Sequence, residues 1–335
     1  MPRTICVIPG DGIGPEVTEA AQQVIDAALP GIAWKPLPAG AAAAEKYGAV
    51  LPPQTLEAIE HHGLALKGPV TTPVGHGFTS VNVQLRQHFG LYAAVRPVRS
   101  MPGIRTRYED VDLVVIRENT EGLYSGLEHE VVPGVVESLK IATRVGCERI
   151  ARFAFEYARD RQRRKVTVFH KANIMKLSDG LFLECARKLH REIAPQIDYE
   201  ELIIDNGCMQ IVRDPSQFDI LLLENLYGDI VSDLCAGLVG GLGVVPGSNI
   251  GEGQAVFEAV HGSAPKLAGR GLANPLALIM SGVMMLRHLG ETTAAERIKA
   301  AYDAVLNRGD PEVLTRDIGG RGTTRRFTEA VIEQL

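Results

Sequence analysis

Asn225-Leu226-Tyr227-Gly228-Asp229-Ile230-Val231-Ser232-Asp233-Leu234-Cys235-Ala236-Gly237-Leu238-Val239-Gly240-Gly241-Leu242-Gly243 is the stretch from which the fold is read most directly. Asp229 and Asp233 stand four apart at the start of an apolar run with helical spacing, so both carboxylates lie on one helical face. Like charges one turn apart repel, and a hard divalent cation bound between them removes the repulsion. Acidic residues in a first helical turn also favour the helix dipole with no metal present. The pair by itself fits either reading, and the rest of the chain has to separate them.

At 335 residues the chain is long enough for two cores. Hydrophobic residues make up 45% and charged residues 22%, which is a globular composition. The net charge of -5 leaves no basic footprint for nucleic acid, so basic groups that matter act locally on a small anion. Cys6, Cys147, Cys185, Cys208 and Cys235 are scattered without a C-x-x-C pair, which fits a reducing compartment. The chain enters an apolar strand at Thr4 with no leader pattern before it. The longest apolar run, Pro275 to Leu286, is too short to span a bilayer. The expectation from these features is a cytoplasmic protein that binds neither nucleic acid nor membrane.

Short β-rich runs at 4–8, 111–116, 166–169, 201–204 and 219–223 alternate with amphipathic segments such as 16–29. That alternation predicts an α/β fold with a largely parallel sheet. Residues 96–110 read as a crossover between domains and the Gly-rich 237–253 as the return, giving a large discontinuous domain (1–97 and 240–335) and a smaller middle one (98–239). Gly10-Asp11-Gly12-Ile13-Gly14-Pro15 follows a strand and opens a helix. Its spacing is not G-x-G-x-x-G, and the second strand, near 32–37, ends in Pro36-Leu37-Pro38 without a ribose-binding acid. A tight turn with Pro15 in the first helical turn accounts for it, and a Rossmann fold is rejected.

Arg86 lies on a helical pattern, whereas Arg96 and Arg117 end apolar strand-like runs. A guanidinium at the end of a buried strand needs an anionic partner, either a carboxylate of the protein or a ligand. Three of them beside paired aspartates favour a polyanionic substrate. Lys171 and Asp205 each follow a strand, where α/β crevices bind ligands. Lys171 is a candidate acid or base, Asp205 a candidate third metal carboxylate, and Tyr124 a candidate phenolic acid. In His261-Gly262-Ser263-Ala264-Pro265-Lys266-Leu267, followed by Asn274-Pro275, the bland reading is a loop with an N-cap at Asn274. The sharper one is a backbone cradle for a nucleotide.

With these residues assembled, the chain resembles the isocitrate/3-isopropylmalate dehydrogenase family of metal-dependent, β-decarboxylating dehydrogenases. The motifs are GDGIGPE at 10–16, RENTEG at 117–122, HKAN at 170–173, NLYGDIVSDLCAGLVGGLG at 225–243 and HGSAP at 261–265. The resemblance implies that family's α/β fold, with a cleft between a large domain of both termini and a small middle domain. It implies oxidative decarboxylation of a tricarboxylate, isocitrate, to 2-oxoglutarate, a tricarboxylic acid cycle step. It also implies Mg²⁺ or Mn²⁺ on Asp205, Asp229 and Asp233. Lys171 is then the base and Tyr124 the acid, while Arg86, Arg96 and Arg117 hold carboxylates and Thr72, Ser80 and Asn82 position the substrate. The cofactor site is expected at Asn173, His261, Gly262, Ser263, Ala264, Lys266, Leu267 and Asn274.

Serine and asparagine at 80 and 82 resemble isocitrate enzymes, whereas isopropylmalate enzymes place apolar residues there. Residues 124–129 are similar to NAD-linked isocitrate dehydrogenases. One departure is Lys266-Leu267, where NAD-using relatives carry Asp-Ile. Arg316-Asp317-Ile318-Gly319-Gly320 is again similar to the NAD-linked pattern, and the expected cofactor is NAD. The resemblance further implies a homodimer, or a higher oligomer built from it, in which Lys171 and Asp205 serve the partner's site. Homoisocitrate, isopropylmalate or tartrate oxidation is the nearest alternative reading, and a non-catalytic regulatory subunit is one of another class.

Overall fold

The computed structural model describes residues 3–72 and 77–335. Its ten-stranded main sheet runs in the order β2-β1-β3-β12-β11-β4-β5-β10-β8-β9. The strands are β1 (Thr4–Ile8), β2 (Ala33–Pro36), β3 (Leu64–Lys67), β4 (Ala93–Arg99) and β5 (Asp112–Glu118), then β8 (Lys165–His170), β9 (Asp198–Ile203), β10 (Ile220–Leu223), β11 (Pro246–Ile250) and β12 (Ala255–Ala259). Strands β6 (Glu128–Val132) and β7 (Val135–Ser138) form a separate hairpin, exposed throughout.

The sheet is parallel at both ends and antiparallel in the middle. β11 pairs antiparallel with both β12 and β4, and β4 with β5. The remaining pairs are parallel. The largely parallel sheet expected from strand-helix alternation is what the structure has, and its centre is antiparallel where β4 passes to β5 and β11 to β12 without an intervening α-helix. The crossover begins later than the sequence suggests, since Arg96 to Arg99 continue β4.

Helices cover both faces. On one face lie α1 (Gly14–Ala28), α5 (Arg144–Asp160), α6 (Ser178–Ile193), α9 (Leu276–His288), α10 (Thr292–Arg308) and α11 (Thr324–Ile332). On the other lie α2 (Ala41–Tyr47), α3 (Pro53–His62), α4 (Val81–His88), α7 (Ile204–Arg213) and α8 (Asn225–Leu238). Side chains alternate along each strand. On β5, Val114 and Ile116 join the core under α5 and α6, while Leu113 and Val115 join the core that includes α8. Arg117 follows in the second series and so emerges beneath α8. No helix among the described residues is long and apolar enough to cross a membrane.

Phe155 on α5 is fully buried against the rings of His190 and Tyr199. Phe155→Ala is expected to destabilise the protein by about 3–5 kcal/mol, read from the urea midpoint at unchanged slope. A loss under about 1 kcal/mol would show that this half of the core is loosely packed.

Candidate functional site

The site is built where β4 and β5 pass under α8. Arg117 is fully buried at the end of β5. Its Nε and Nη2 donate to Asn225 Oδ1 at 3.1 and 2.6 Å, and its Nη1 donates to Asp229. Burial, then the neighbouring Arg86, pull the Arg117 guanidinium down to about 10, with Asp229 opposing. Arg96 donates to Ser232 and approaches Asp233 at 3.4 Å and Asp229 at 3.6 Å. The Tyr124 hydroxyl donates to the other oxygen of Asp229, and the Arg117 guanidinium lies 4.9 Å from the Tyr124 ring centre. Burial and this hydrogen bond raise the Tyr124 pKa, so the phenol keeps its proton.

The two aspartates differ. Burial pushes the Asp229 carboxyl up, but Arg117, the Tyr124 hydroxyl and Arg96 outweigh it, and the net shift is downward. Asp233 goes the other way: burial raises it, Arg96 offsets part, and Asp229 adds repulsion. A carboxylate pair with one member repelled by the other suits a hard cation. Mg²⁺ commonly takes one or two carboxylates and completes its shell with water and substrate oxygens. Asp205 is not with them. It accepts from Lys171 Nζ at 2.7 Å on an exposed edge. Among the described residues no three His, Cys, Asp or Glu side chains are gathered to hold a metal.

Beside Arg96 a cavity of about 100 Å³ runs under the 261–262 loop. Asn82, Arg86, Arg96, Glu258 and His261 line it. Asn82 Oδ1, Arg86 Nε and His261 Nε2 are buried with no hydrogen-bond partner among the described residues. Buried polar atoms are ordinarily paired, so three orphans around one cavity point to a polar ligand. Glu258 is a buried cavity-lining carboxylate that the sequence reading missed. It pairs with Lys67 at 2.7 Å, stands 3.5 Å from Arg86, and accepts from Asn249 at 2.7 Å. Burial raises its carboxyl, but Lys67 and Arg86 pull it down to about 2. The available signal was a charge inside each of two apolar strand runs, Leu64–Lys67 and Ala255–Ala259. Ser80 caps α4 without a side-chain bond, Thr72 is exposed, and the neighbouring 73–76 lie outside the described residues. Asn173 is exposed on the turn after Lys171.

The 261–267 loop leaves β12 and turns through Ala264 at φ 39°. Gly10-Asp11-Gly12 shapes this loop. A Cβ on Gly12 would sit 2.0 Å from the Ser263 carbonyl, and Asp11 accepts from the amides of Ala41 and Thr71. Ser263 in turn shares a hydrogen bond with Thr71 at 2.7 Å. Pro275 holds the N-cap position of α9, one residue later than the sequence reading placed it, and Asn274 just before it accepts from Leu276 N at 3.0 Å. The Asn274 side-chain amide donates to Asp317 at 2.9 Å. Leu267, Leu272, Asn274, Arg316 and Asp317 enclose about 300 Å³, an apolar slot with few polar groups and large enough for a purine.

Gly228 is required by Arg117, because an added Cβ would lie 2.5 Å from the Arg117 Cγ. Gly237, on the same helix, has nothing within 4 Å. Gly228→Ala is expected to lose about 1–3 kcal/mol of stability, and Gly237→Ala to gain about 0.5–1 kcal/mol. Equal midpoints in urea for the two variants would refute the tight contact.

The chain matches the family model described as isocitrate/isopropylmalate dehydrogenase over residues 4–331. It is 52% identical to NAD isocitrate dehydrogenase catalytic subunit 5, mitochondrial, of Arabidopsis thaliana, across 100% of this chain and 89% of that protein. It is 49% identical to a mitochondrial protein of Dictyostelium discoideum named as an NAD isocitrate dehydrogenase regulatory subunit, across 99% of this chain and 92% of that protein. The crystal structure of isocitrate dehydrogenase from Methylococcus capsulatus superposes with a TM-score of 0.96 at 49% identity, covering 99% of each chain. The mitochondrial names of the curated relatives overturn the expectation of a cytoplasmic protein. On the family match and these identities, the chain belongs to the isocitrate/isopropylmalate dehydrogenase family.

Proposed function

We propose that the protein oxidises isocitrate with NAD and decarboxylates it to 2-oxoglutarate. The observation that carries this is the meeting of Arg96 and Arg117 with the Asp229–Asp233 pair, next to a cavity lined by Arg86 and holding orphaned polar atoms. Three guanidiniums match a tricarboxylate. The orphaned Asn82 Oδ1 favours a substrate with a hydrogen-bonding group over one with an isopropyl group. The names of the relatives support isocitrate and NAD, and point to a mitochondrial setting.

Without substrate, Arg96 and Arg117 serve as counter-ions to Asp229 and Asp233. With a cation on those carboxylates, the guanidiniums are freed for the substrate's carboxylates in bidentate pairs. Asp229 and Asp233 would hold Mg²⁺ or Mn²⁺, which would supply Lewis acidity, and the 261–274 region would hold NAD, which would supply the hydride acceptor. Lys171 takes the hydroxyl proton as hydride leaves the same carbon. The carbon–carbon bond to the β-carboxylate then breaks, CO₂ departs, and its electron pair stays on carbon. Tyr124, whose proton is held by burial and by Asp229, protonates that carbon. Ser80, Asn82 and Thr72 orient the substrate, and Asn173 meets the nicotinamide. The lobes are taken as 1–97 with 240–335 and 98–239, joined where β4 meets β5.

Initial rates should give a kcat/KM for isocitrate at least about 10²-fold above isopropylmalate, homoisocitrate or tartrate. NAD should exceed NADP, because Leu267 offers no hydrogen bond to a 2′-phosphate. A better rate with isopropylmalate or with NADP would overturn the corresponding assignment.

Lys171 and Asp205 lie apart from Asp229 and Asp233, and Leu177 on the adjoining turn is 91% exposed. The apolar hairpin residues Val132, Val135 and Val136 are exposed as well. These features support sites completed by a second chain. The relatives' naming as subunits favours a hetero-oligomer over the homodimer expected from the sequence. The regulatory reading, favoured by the Dictyostelium name, predicts an inactive chain, whereas the intact residue set predicts an active one. Lys171→Met and Asp229→Asn should each be nearly inactive alone. Refolded together as pairs of this chain, they should recover about a quarter of wild-type activity, because half the dimers are mixed and each mixed dimer has one intact site. Mixed dimers with no recovery would mean that each site is built from one chain.

A further inference from the structure

On the reverse face of β4 lies a cavity of about 550 Å³ between α5 and α9, within the size range of small-molecule sites. Period-two alternation sets Arg96 on the substrate side and Val95, Pro97 and Arg99 on this side. The same alternation on β12 separates Glu258 from Phe257. The cavity is therefore one strand's thickness from the substrate arginines and shares none of them. Its floor is apolar, with Val95, Phe257 and Val283 buried there, and Phe153 and Tyr157 of α5 form an aromatic wall.

Its rim is cationic, and most of that charge is already matched. Arg99 and Lys299 share Asp303 at 2.9 and 2.7 Å. Arg163 holds Asp112 and Asp219, and Arg287 holds Glu296. Arg161 alone among these cations has no carboxylate partner among the described residues. Its guanidinium stands 5.8 Å from the Tyr157 ring centre, at the cavity mouth. Five cations against four carboxylates leave one positive charge in excess, located at Arg161.

We propose that this reverse-face cavity is a second ligand site, which takes a planar aromatic molecule carrying one anionic group, its ring against Tyr157 and Phe153 and its charge at Arg161. The apolar floor supplies the burial for the ring, and the unmatched guanidinium supplies the uncompensated charge. The site goes beyond the proposed reaction and does not rest on it.

The probe is anilinonaphthalene sulfonate, an aromatic monoanion that fluoresces in apolar surroundings. It is titrated into the full-length protein with NAD and isocitrate saturating and no metal added. One probe per chain should bind. Arg161→Glu should weaken binding at least about tenfold, Arg161→Lys by under about threefold, and the uncharged phenylnaphthylamine should bind at least about tenfold more weakly than the sulfonate. Met284→Trp, which fills the cavity from α9, should abolish binding with an unchanged circular dichroism spectrum. Arg161 is exposed, so its variants test the site even where Met284→Trp fails to fold. No probe binding with NAD and isocitrate saturating, or Arg161→Glu binding within about twofold of wild type, would overturn the proposal.

Discussion

A buried guanidinium, that of Arg117, organises the centre of this molecule. A charge with no solvent exposure is tolerated only when hydrogen bonds and counter-ions surround it. Asn225 and Asp229 supply them, and both come from the first turns of α8. The helix therefore has to start where β5 ends, and it approaches closely because residue 228 has no side chain. That approach brings Asp233 to Arg96 and Asp229 to Tyr124. One buried charge thus fixes the geometry of four further side chains of the candidate site.

A second buried cluster, Lys67, Glu258, Asn249 and Asn119, ties the central strands together below the same cavity. Its members bond one another across β3, β12, β11 and the end of β5. This network of ion pair and hydrogen bonds holds the polar floor of the cavity still, while Arg86 above it keeps an unpaired nitrogen. Rigidity below and unmet hydrogen-bonding capacity above are what a binding site for a polar anion requires.

Asp179 joins this architecture to Lys171. Its carboxylate accepts from the Lys171 amide at 2.7 Å and pairs with Lys140, which also meets Glu224 at the start of α8. Burial raises the Glu224 carboxyl to about 7, with Lys140 opposing. The proposed base and the carboxylate helix are thus anchored to one partly buried lysine, although their functional ends point to different places in the chain.

Much of this is legible in the sequence. Strands β1, β5, β8, β9 and β10 and the first helix follow from hydrophobic periodicity, whereas β11 lies in the stretch read as a Gly-rich return. The Asp229–Asp233 pair follows from helical spacing, and the strand-end arginines from the cost of burying charge. The glycines of Gly10-Asp11-Gly12 make close backbone contacts, in keeping with the tight turn read there. The antiparallel centre of the sheet is not legible, because strand direction depends on pairings between residues far apart in sequence. Glu258 looks like an ordinary strand residue, because only folding brings Lys67, Arg86 and Asn249 around it. Asp205 is the opposite case: its chemistry suits the metal pair, but its strand ends elsewhere within the chain. Residue chemistry and local spacing are fixed by the sequence order itself; which charges meet is decided by the sheet, whose long-range pairings set every distance in the site.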